Sequence, residues 1–383
     1  MASSMPPSST QRAYFLLDSL EFAHGTEMLA MILAGELKKI GWEVSVFTAE
    51  YTPSSSTWAE FLHQSSIPIY RPPVRILRRY LLPHRLIVSK LWRRAAHSPP
   101  TLVWSPTNDI LTCVALHAKP ENAVPFFVHD PSEAGPACPH YQPLWFKVCN
   151  SVTALSVHGE RQRQSAISYY KMERPVDVVR PSTFPPSRVH PLKLTGGRMR
   201  FGQFGRLATM KGSLFAVAAL ADCVNRGGDA ELHFHGDGPM KAVTQELAFS
   251  LGLRDRVFFH GSYLPSQLDD LVNSIDVSIM PSTYEGFGLV MLELLSRGRA
   301  VIASDVGSSR EILGDSRAGW VVPRANTTAL ADAMLYCCTH PEETLARANQ
   351  GPELWKANYT PEKMAARYLN FWEQNGTPGA RRI

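Results

Sequence analysis

From Ala13 to Val322 the chain alternates short β-branched or aromatic runs with helix-period stretches, and one Pro/Gly-rich break divides this alternation in two. Runs of that length between helical stretches are the mark of βαβ units and parallel sheets. Before the break the strand runs are Ala13–Leu17, Glu43–Thr48, Ile67–Tyr70, Thr101–Trp104, Val124–Val128, Val152–Ser156 and Val176–Val179. Between them, Leu29, Ile32, Leu33 and Leu37 recur at three- and four-residue spacing, which predicts a helix ended by Gly41, and another is expected over Gly159–Tyr170. After the break the runs are Arg200–Gly205, Ala230–His235, Val257–His260, Val277–Met280, Ala300–Ala303 and Trp320–Val322. Helices are expected over Lys211–Asn225, Met240–Leu251 and Gly288–Arg297, and residues 327–375 read as helical throughout. The break carries Pro181, Pro185, Pro186, Pro191 and the Gly196-Gly197 pair, which interrupt any periodicity. The expected architecture is therefore α/β: two doubly wound Rossmann-like domains facing across a cleft, where open sheets bind ligands at their carboxyl ends. The boundaries read as a tail over 1–12, an N-terminal domain over 13–185, a linker over 186–198, a C-terminal domain over 199–360 and a closing helical segment over 361–383.

Composition narrows the function classes. With 44% apolar and 19% charged residues in a chain of 383, disorder and coiled coil are excluded and a large core is within reach. No run approaches the ~18 to 20 apolar residues of a spanning helix, and the first residues have neither the basic nor the apolar region of a secretory signal. Cys113, Cys138, Cys149, Cys223, Cys337 and Cys338 lack C-x-x-C spacing and are too sparse for a disulfide scaffold, so a reducing cytoplasm is expected. No Asp-x-Asp pair offers Mg²⁺ a carboxylate seat, and no metal is expected.

Three segments carry chemistry. Pro281-Ser282-Thr283-Tyr284-Glu285-Gly286-Phe287-Gly288-Leu289 follows a strand run and opens a helix that continues to Glu293. The N–H groups of Phe287, Gly288 and Leu289 at that helix start form an anion site, because unpaired donors and the positive dipole end face one point. Glu285 and Glu293 beside it are acceptors suited to ribose and sugar hydroxyls around a diphosphate. The same spacing also fits a Gly-rich turn with one solvated and one capping glutamate. In Gly205-Arg206-Leu207-Ala208-Thr209-Met210-Lys211-Gly212, Arg206 and Lys211 can both reach over the sheet's carboxyl edge and neutralise a diphosphate without a metal; two surface cations are the plainer alternative. Gly236-Asp237-Gly238-Pro239 supplies a tight turn. His233 and His235 share a strand face but have no third ligand nearby in sequence, which argues against a metal pair.

Together these segments resemble the retaining, nucleotide-sugar-dependent glycosyltransferases of family four, which have the GT-B fold. The matching residues are Gly205-Arg206 with Lys211-Gly212, Gly236-Asp237-Gly238-Pro239, Val257-Phe258-Phe259-His260-Gly261, Glu285 with Glu293, and Gly307 with Glu311. They span about residues 200 to 315 in the family's order, while the N-terminal half matches only in outline. The resemblance implies that Arg206 and Lys211 bind the diphosphate, Glu285 holds donor-sugar hydroxyls and Glu293 the ribose diol. It implies donor contacts for Gly25, Gly205, Gly236, Gly286, Phe287, Gly288 and Leu289, and a catalytic His129 reaching the donor sugar from the N-terminal domain. It further implies retention, no cofactor beyond the nucleotide-sugar co-substrate, and a final helix with Tyr368, Phe371 and Trp372 crossing back to the N-terminal domain. Two positions depart from the pattern: His24-Gly25 stands where the family has Gly-Gly, and Ser308-Ser309 follows Gly307 where a second glycine is usual. A nucleotide-sugar epimerase of the same architecture and an inactive nucleotide-sugar-binding protein are the alternative functions.

The net charge of +5 is concentrated in the N-terminal half. Between Phe61 and Asn108 there is no acidic residue, while Arg71, Arg75, Arg78, Arg79, Arg85, Lys90, Arg93 and Arg94 alternate with Ile76, Leu77, Tyr80, Leu81, Leu86, Ile87, Leu91 and Trp92. This 71–94 stretch fits an anionic membrane surface at its inner face, a lipid-linked or anionic acceptor, or simply a solvated basic face. No stacking platform or reader motif accompanies it, so nucleic acid is not an expected partner.

Overall fold

The computed structural model describes residues 11–21, 25–71, 81–97, 101–106, 110–120, 124–130, 147–148, 150–170, 172–194, 196–314 and 317–376, without the side chains of 81–83, 101, 129–130 and 169–170. The chain divides into two compact units, Met1–Pro181 with Pro361–Ile383, and Ser182–Thr360.

The first unit is built on a parallel sheet of β1 (Arg12–Ser19), β2 (Glu43–Glu50), β3 (Ile69–Tyr70), β4 (Thr101–Pro106), β5 (Phe126–Asp130), β6 (Ala154–Val157) and β7 (Val176–Val178) in the order β3-β2-β1-β4-β5-β6-β7. Strands covered by helices on both faces are apolar along their whole length rather than alternating, which is why the runs were legible in sequence. Tyr14, Leu16, Phe47, Val103, Phe126 and Leu155 fill one side together with Ile87, Val88, Leu91 and Trp92 of the helix Leu81–Ala96. That placement corrects part of the expectation for the basic stretch. Ile87, Leu91 and Trp92 belong to this core and are not offered to a lipid surface, whereas Leu86 is exposed; Arg75, Arg78, Arg79, Ile76, Leu77 and Tyr80 lie outside the described residues.

The other side is covered in part by the last helix (Pro361–Asn375), whose Tyr368, Phe371 and Trp372 are buried. The Trp372 ring lies 5.6 Å from that of Trp42 and the Phe371 ring 5.1 Å from that of Phe127, and Asn375 Nδ2 donates to Asp177 at 2.9 Å.

The second unit repeats the plan with β8 (Met199–Phe204), β9 (Ala230–His235), β10 (Val257–Gly261), β11 (Val277–Met280), β12 (Ala300–Ser304) and β13 (Gly319–Val322) in the order β10-β9-β8-β11-β12-β13. Every residue of β11 and β12 is buried, and clusters around Phe201–Phe234–Ile279 and Phe204–Leu292–Ala303 pack on the two faces. Chain order reverses between β8 and β11, the switch point at which such sheets open to ligands.

Two details differ from the sequence reading. Residues 327–375 are three helices, Thr327–Thr339, Pro341–Asn358 and Pro361–Asn375, because Pro341 and Pro361 start new helices where the preceding N–H bonds are lost. The division between units falls at Pro181, since Ser182 Oγ donates to the Tyr359 carbonyl at 2.7 Å and Trp355 Nε1 to Thr183 Oγ1 at 3.0 Å, tying 182–183 to the second unit.

Candidate active site

At the switch point of the second unit, the loops leaving β8 and β11 lie side by side. Gly212 permits this: its φ of +70° is left-handed, and a Cβ there would stand 2.0 Å from the Pro281 carbonyl oxygen. Gly236 lets the loop after β9 close on Gly205 in the same way, with the carbonyl oxygen of Gly205 1.9 Å from any added Cβ. Thr283 N–H donates to the Met210 carbonyl at 2.8 Å and Gln203 Nε2 to the Lys211 carbonyl at 2.8 Å, so both loops are fixed to the sheet and to each other.

This brings Lys211 and Glu285 into contact. Lys211 Nζ lies 2.6 Å from Glu285 Oε1, and Ser282 Oγ donates to the same oxygen at 2.7 Å. The pair is mostly enclosed, which holds the ammonium in place before any ligand arrives. Arg206, in the same loop as Lys211, is exposed and pairs with no carboxylate among the described residues. Gly288 precedes the helix Leu289–Ser296 in a left-handed conformation, and no acceptor takes the Gly288 or Leu289 N–H among the described residues. Gly286 forms the turn before it. The Phe287 side chain packs inward, 6.2 Å from the Tyr359 ring, leaving only its backbone for the ligand face.

Glu293 sits one turn further into this helix. Burial pushes its carboxyl up from the ordinary 4.5 to about 7, and the nearby Arg297 charge only partly offsets this. Arg297 is itself committed to Asp269, at 2.7 Å, in a buried pair. The Glu293 carboxylate accepts no hydrogen bond among the described residues, which leaves it an acceptor for a diol. Tyr263 stands against it, with its phenol pushed up by burial and then by the Glu293 charge. Sequence reasoning missed Ser282, Gln203 and Tyr263; Arg297, one helical turn after Glu293, was the one partner that spacing alone would have revealed.

The structure thus gathers Gly205, Arg206, Lys211, Gly236, Glu285, Gly286, Phe287, Gly288, Leu289 and Glu293 around one sheet edge. Gly25 and His129 belong to the first unit. Gly25 opens the helix Gly25–Lys39, and His24 lies outside the described residues. His129 is in β5, in register with Pro106 and Ser156, and its side chain lies outside them too. The His233 and His235 rings are parallel at 6.4 Å and do not converge; His233 Nδ1 instead meets His260 Nε2 at 2.9 Å. Burial and the two neighbouring histidines hold the His235 imidazole down at about 3, so it stays neutral. Among the described residues no group of three or more His, Cys, Asp or Glu side chains could hold a metal ion.

Two Rossmann-like units on parallel sheets of seven and six strands have the GT-B fold of glycosyltransferases. Residues 198–340, which lie within the second unit, match the family described as Glycosyl transferases group 1. The chain is similar to an alpha-D-kanosaminyltransferase of Streptomyces kanamyceticus, 31% identical over 156 residues that make up 41% of this chain and 40% of that one. It spans about half or less of the length of the curated relatives it matches. Its fold is that of a sucrose-phosphate synthase from Thermosynechococcus elongatus, with a TM-score of 0.76 at 18% identity over 95% of this chain and 98% of that one. It is also that of Anabaena HepE in complex with UDP-glucose, with a TM-score of 0.74 at 18% identity over 94% and 99%.

Proposed function

We propose that this protein is a retaining glycosyltransferase that moves a hexosyl group from a nucleoside-diphosphate sugar to an acceptor nucleophile without a metal. The observation that carries the reading is the Lys211–Glu285 contact beside an unpaired Arg206, all at the switch point of the second sheet. As the sugar–phosphate bond breaks, negative charge builds on the departing diphosphate and positive charge on the sugar. Arg206, Lys211 and the Gly288 and Leu289 amides stabilise the first, and they are in place before the reaction, so little reorganisation is required. Glu285, held by Ser282 and Lys211, accepts from donor-sugar hydroxyls, and Glu293 accepts from the ribose diol. His129 would meet the donor sugar from the first unit, and attack from the face that the diphosphate leaves gives retention. The UDP-glucose complex of HepE supports testing UDP sugars first.

The test is transfer assayed with UDP- and GDP-sugars in EDTA over a panel of sugar, cyclitol and lipid-linked acceptors, with the product anomer read by NMR. Removing one preorganised donor from such a site costs ~3 to 4 kcal/mol, so Arg206→Ala and Lys211→Ala should each lower turnover roughly 100- to 1000-fold with the fold intact. Unchanged turnover in either variant, or an inverted anomer, refutes the mechanism. Turnover of the donor alone into an isomeric nucleotide sugar would mark an epimerase instead.

A further inference from the structure

The first unit carries a basic cavity beside the amino ends of β1 and β2. Arg12 and Glu43 open β1 and β2, so this is the amino edge of those strands, and the last turns of the helix Leu81–Ala96 bring Lys90, Arg93 and Arg94 to the same place. The cavity they line holds about 520 Å³. Its floor is aromatic: the Tyr14 ring meets Phe47 edge-on at 5.4 Å, and Phe47 stacks on Tyr70 at 4.8 Å. The Arg94 guanidinium lies 4.9 Å over the Tyr70 face.

Cations at a helix C-terminus are in themselves ordinary, since they complement the dipole. Two further observations separate this cluster from a solvated face. The charge is not balanced: among the described residues no carboxylate lines the cavity, Glu43 beside it is paired with Arg12, and Lys90, Arg93 and Arg94 have no carboxylate partner. Arg93 is instead tethered within its helix, Nη2 donating to Ser89 Oγ at 2.8 Å. The second observation is the Tyr14 hydroxyl. Tyr14 is 1% exposed and lines the cavity, and its hydroxyl oxygen is met by the exposed Arg94 guanidinium while its proton finds no acceptor among the described residues. A guanidinium only donates, so the buried O–H is left without an acceptor, which is unfavourable, and phenylalanine would fill the same space without that penalty. Burial also raises the phenol, partly offset by the Arg94 charge, so at neutral pH it remains an O–H donor.

We propose that this cavity is a binding site for a phosphate or diphosphate monoester whose apolar body rests on the Tyr70–Phe47 wall. The phosphate oxygens accept from Tyr14 Oη, Arg93 and Lys90, and Arg94 supplies charge from above Tyr70. The inference is independent of the proposed glycosyl transfer, because it involves neither the second unit nor its loops.

The test uses full-length protein carrying Arg206→Ala and Lys211→Ala, so that the second unit's cations do not contribute, with pyrophosphate titrated by calorimetry. One saturable equivalent is expected, weakened at least tenfold by Lys90→Ala with Arg93→Ala, two exposed positions that leave the core untouched. Tyr14→Phe should weaken binding several-fold while leaving the unfolding midpoint of the free protein unchanged or higher, which a purely structural tyrosine would not do. Absence of saturable binding, or binding indifferent to these substitutions, overturns the proposal. A parallel arm offers vesicles of phosphatidylcholine with and without a phosphatidylinositol phosphate. Capture that needs the phosphoinositide and is lost in the variants assigns the phosphate to a lipid headgroup. Pyrophosphate binding without capture assigns it to a soluble ester, and capture by any anionic lipid that survives Tyr14→Phe contradicts a built site.

Discussion

Replacing Glu293 with glutamine should make the free protein more stable and the nucleotide complex weaker, and the first effect should depend on pH in a defined way. Burial raises the carboxyl from 4.5 to about 7. Between those values the folded chain keeps a proton that the unfolded chain has released. Stability therefore falls as pH rises through that interval, and the whole cost stands above it. At ~1.4 kcal/mol per pH unit this amounts to up to ~3 kcal/mol for the ionised form. Glutamine removes that charge and keeps the shape. At pH 5 the two proteins should differ little; by pH 8.5 Glu293→Gln should be more stable by ~2 to 3 kcal/mol, several degrees for a unit of this size. Urea unfolding of the second unit at both values measures the gap. Nucleoside-diphosphate affinity should move oppositely, falling ~10- to 100-fold in the variant, as expected for losing a charged hydrogen-bond acceptor. A stability gap that is flat with pH, or a variant that binds nucleotide as well as the parent, would refute the role of Glu293.

Three further outcomes follow from the packing. Gly212→Ala places a Cβ 2.0 Å from the Pro281 oxygen at a left-handed φ, so it should separate the two loops; a loss of at least ~2 kcal/mol and of nucleotide binding is expected in urea and calorimetric measurements. Trp372→Ala empties a site between Trp42, Phe127 and Tyr368 and should cost the first unit ~3 to 5 kcal/mol, read by hydrogen exchange of its strands, with the second unit unaffected. Ser282→Ala removes one of the two contacts that hold Glu285 and should lower kcat severalfold with little change in Tm.

β6, β11 and β12 were legible because they are buried along their whole length and read as short, mostly apolar runs, whereas β9 and β10 are part-exposed and were read from their β-branched and aromatic residues. The second unit's candidate residues could be singled out in sequence because most of its glycines, cations and carboxylates fall just after strand runs. Local pattern said much less about the rest. Lys211 and Glu285 are far apart in sequence, and only the pairing of β8 with β11 brings them within 2.6 Å. The raised carboxyl of Glu293 depends on the protein packed around it, which no motif encodes. An amphipathic helix looks the same in sequence whether its apolar side meets a sheet or a lipid, so Ile87, Leu91 and Trp92 were open to both readings until the core claimed them. Likewise, the unit boundary at Pro181 is set by bonds from Ser182 and Thr183 to Tyr359 and Trp355, partners that lie beyond the reach of local composition.

The central claim is a metal-free diphosphate cradle at the switch point of the second sheet, and thermal unfolding with UDP, GDP, ADP and dTDP, each in EDTA and in Mg²⁺, tests it most directly. A nucleotide at a hundred times its Kd adds ~2.7 kcal/mol to the stability of the unit that binds it. The account predicts stabilisation by one base in preference to the others, undiminished by EDTA and abolished in the Arg206→Ala, Lys211→Ala double variant. No stabilisation by any nucleotide, or stabilisation that requires Mg²⁺ or survives in the double variant, would contradict it.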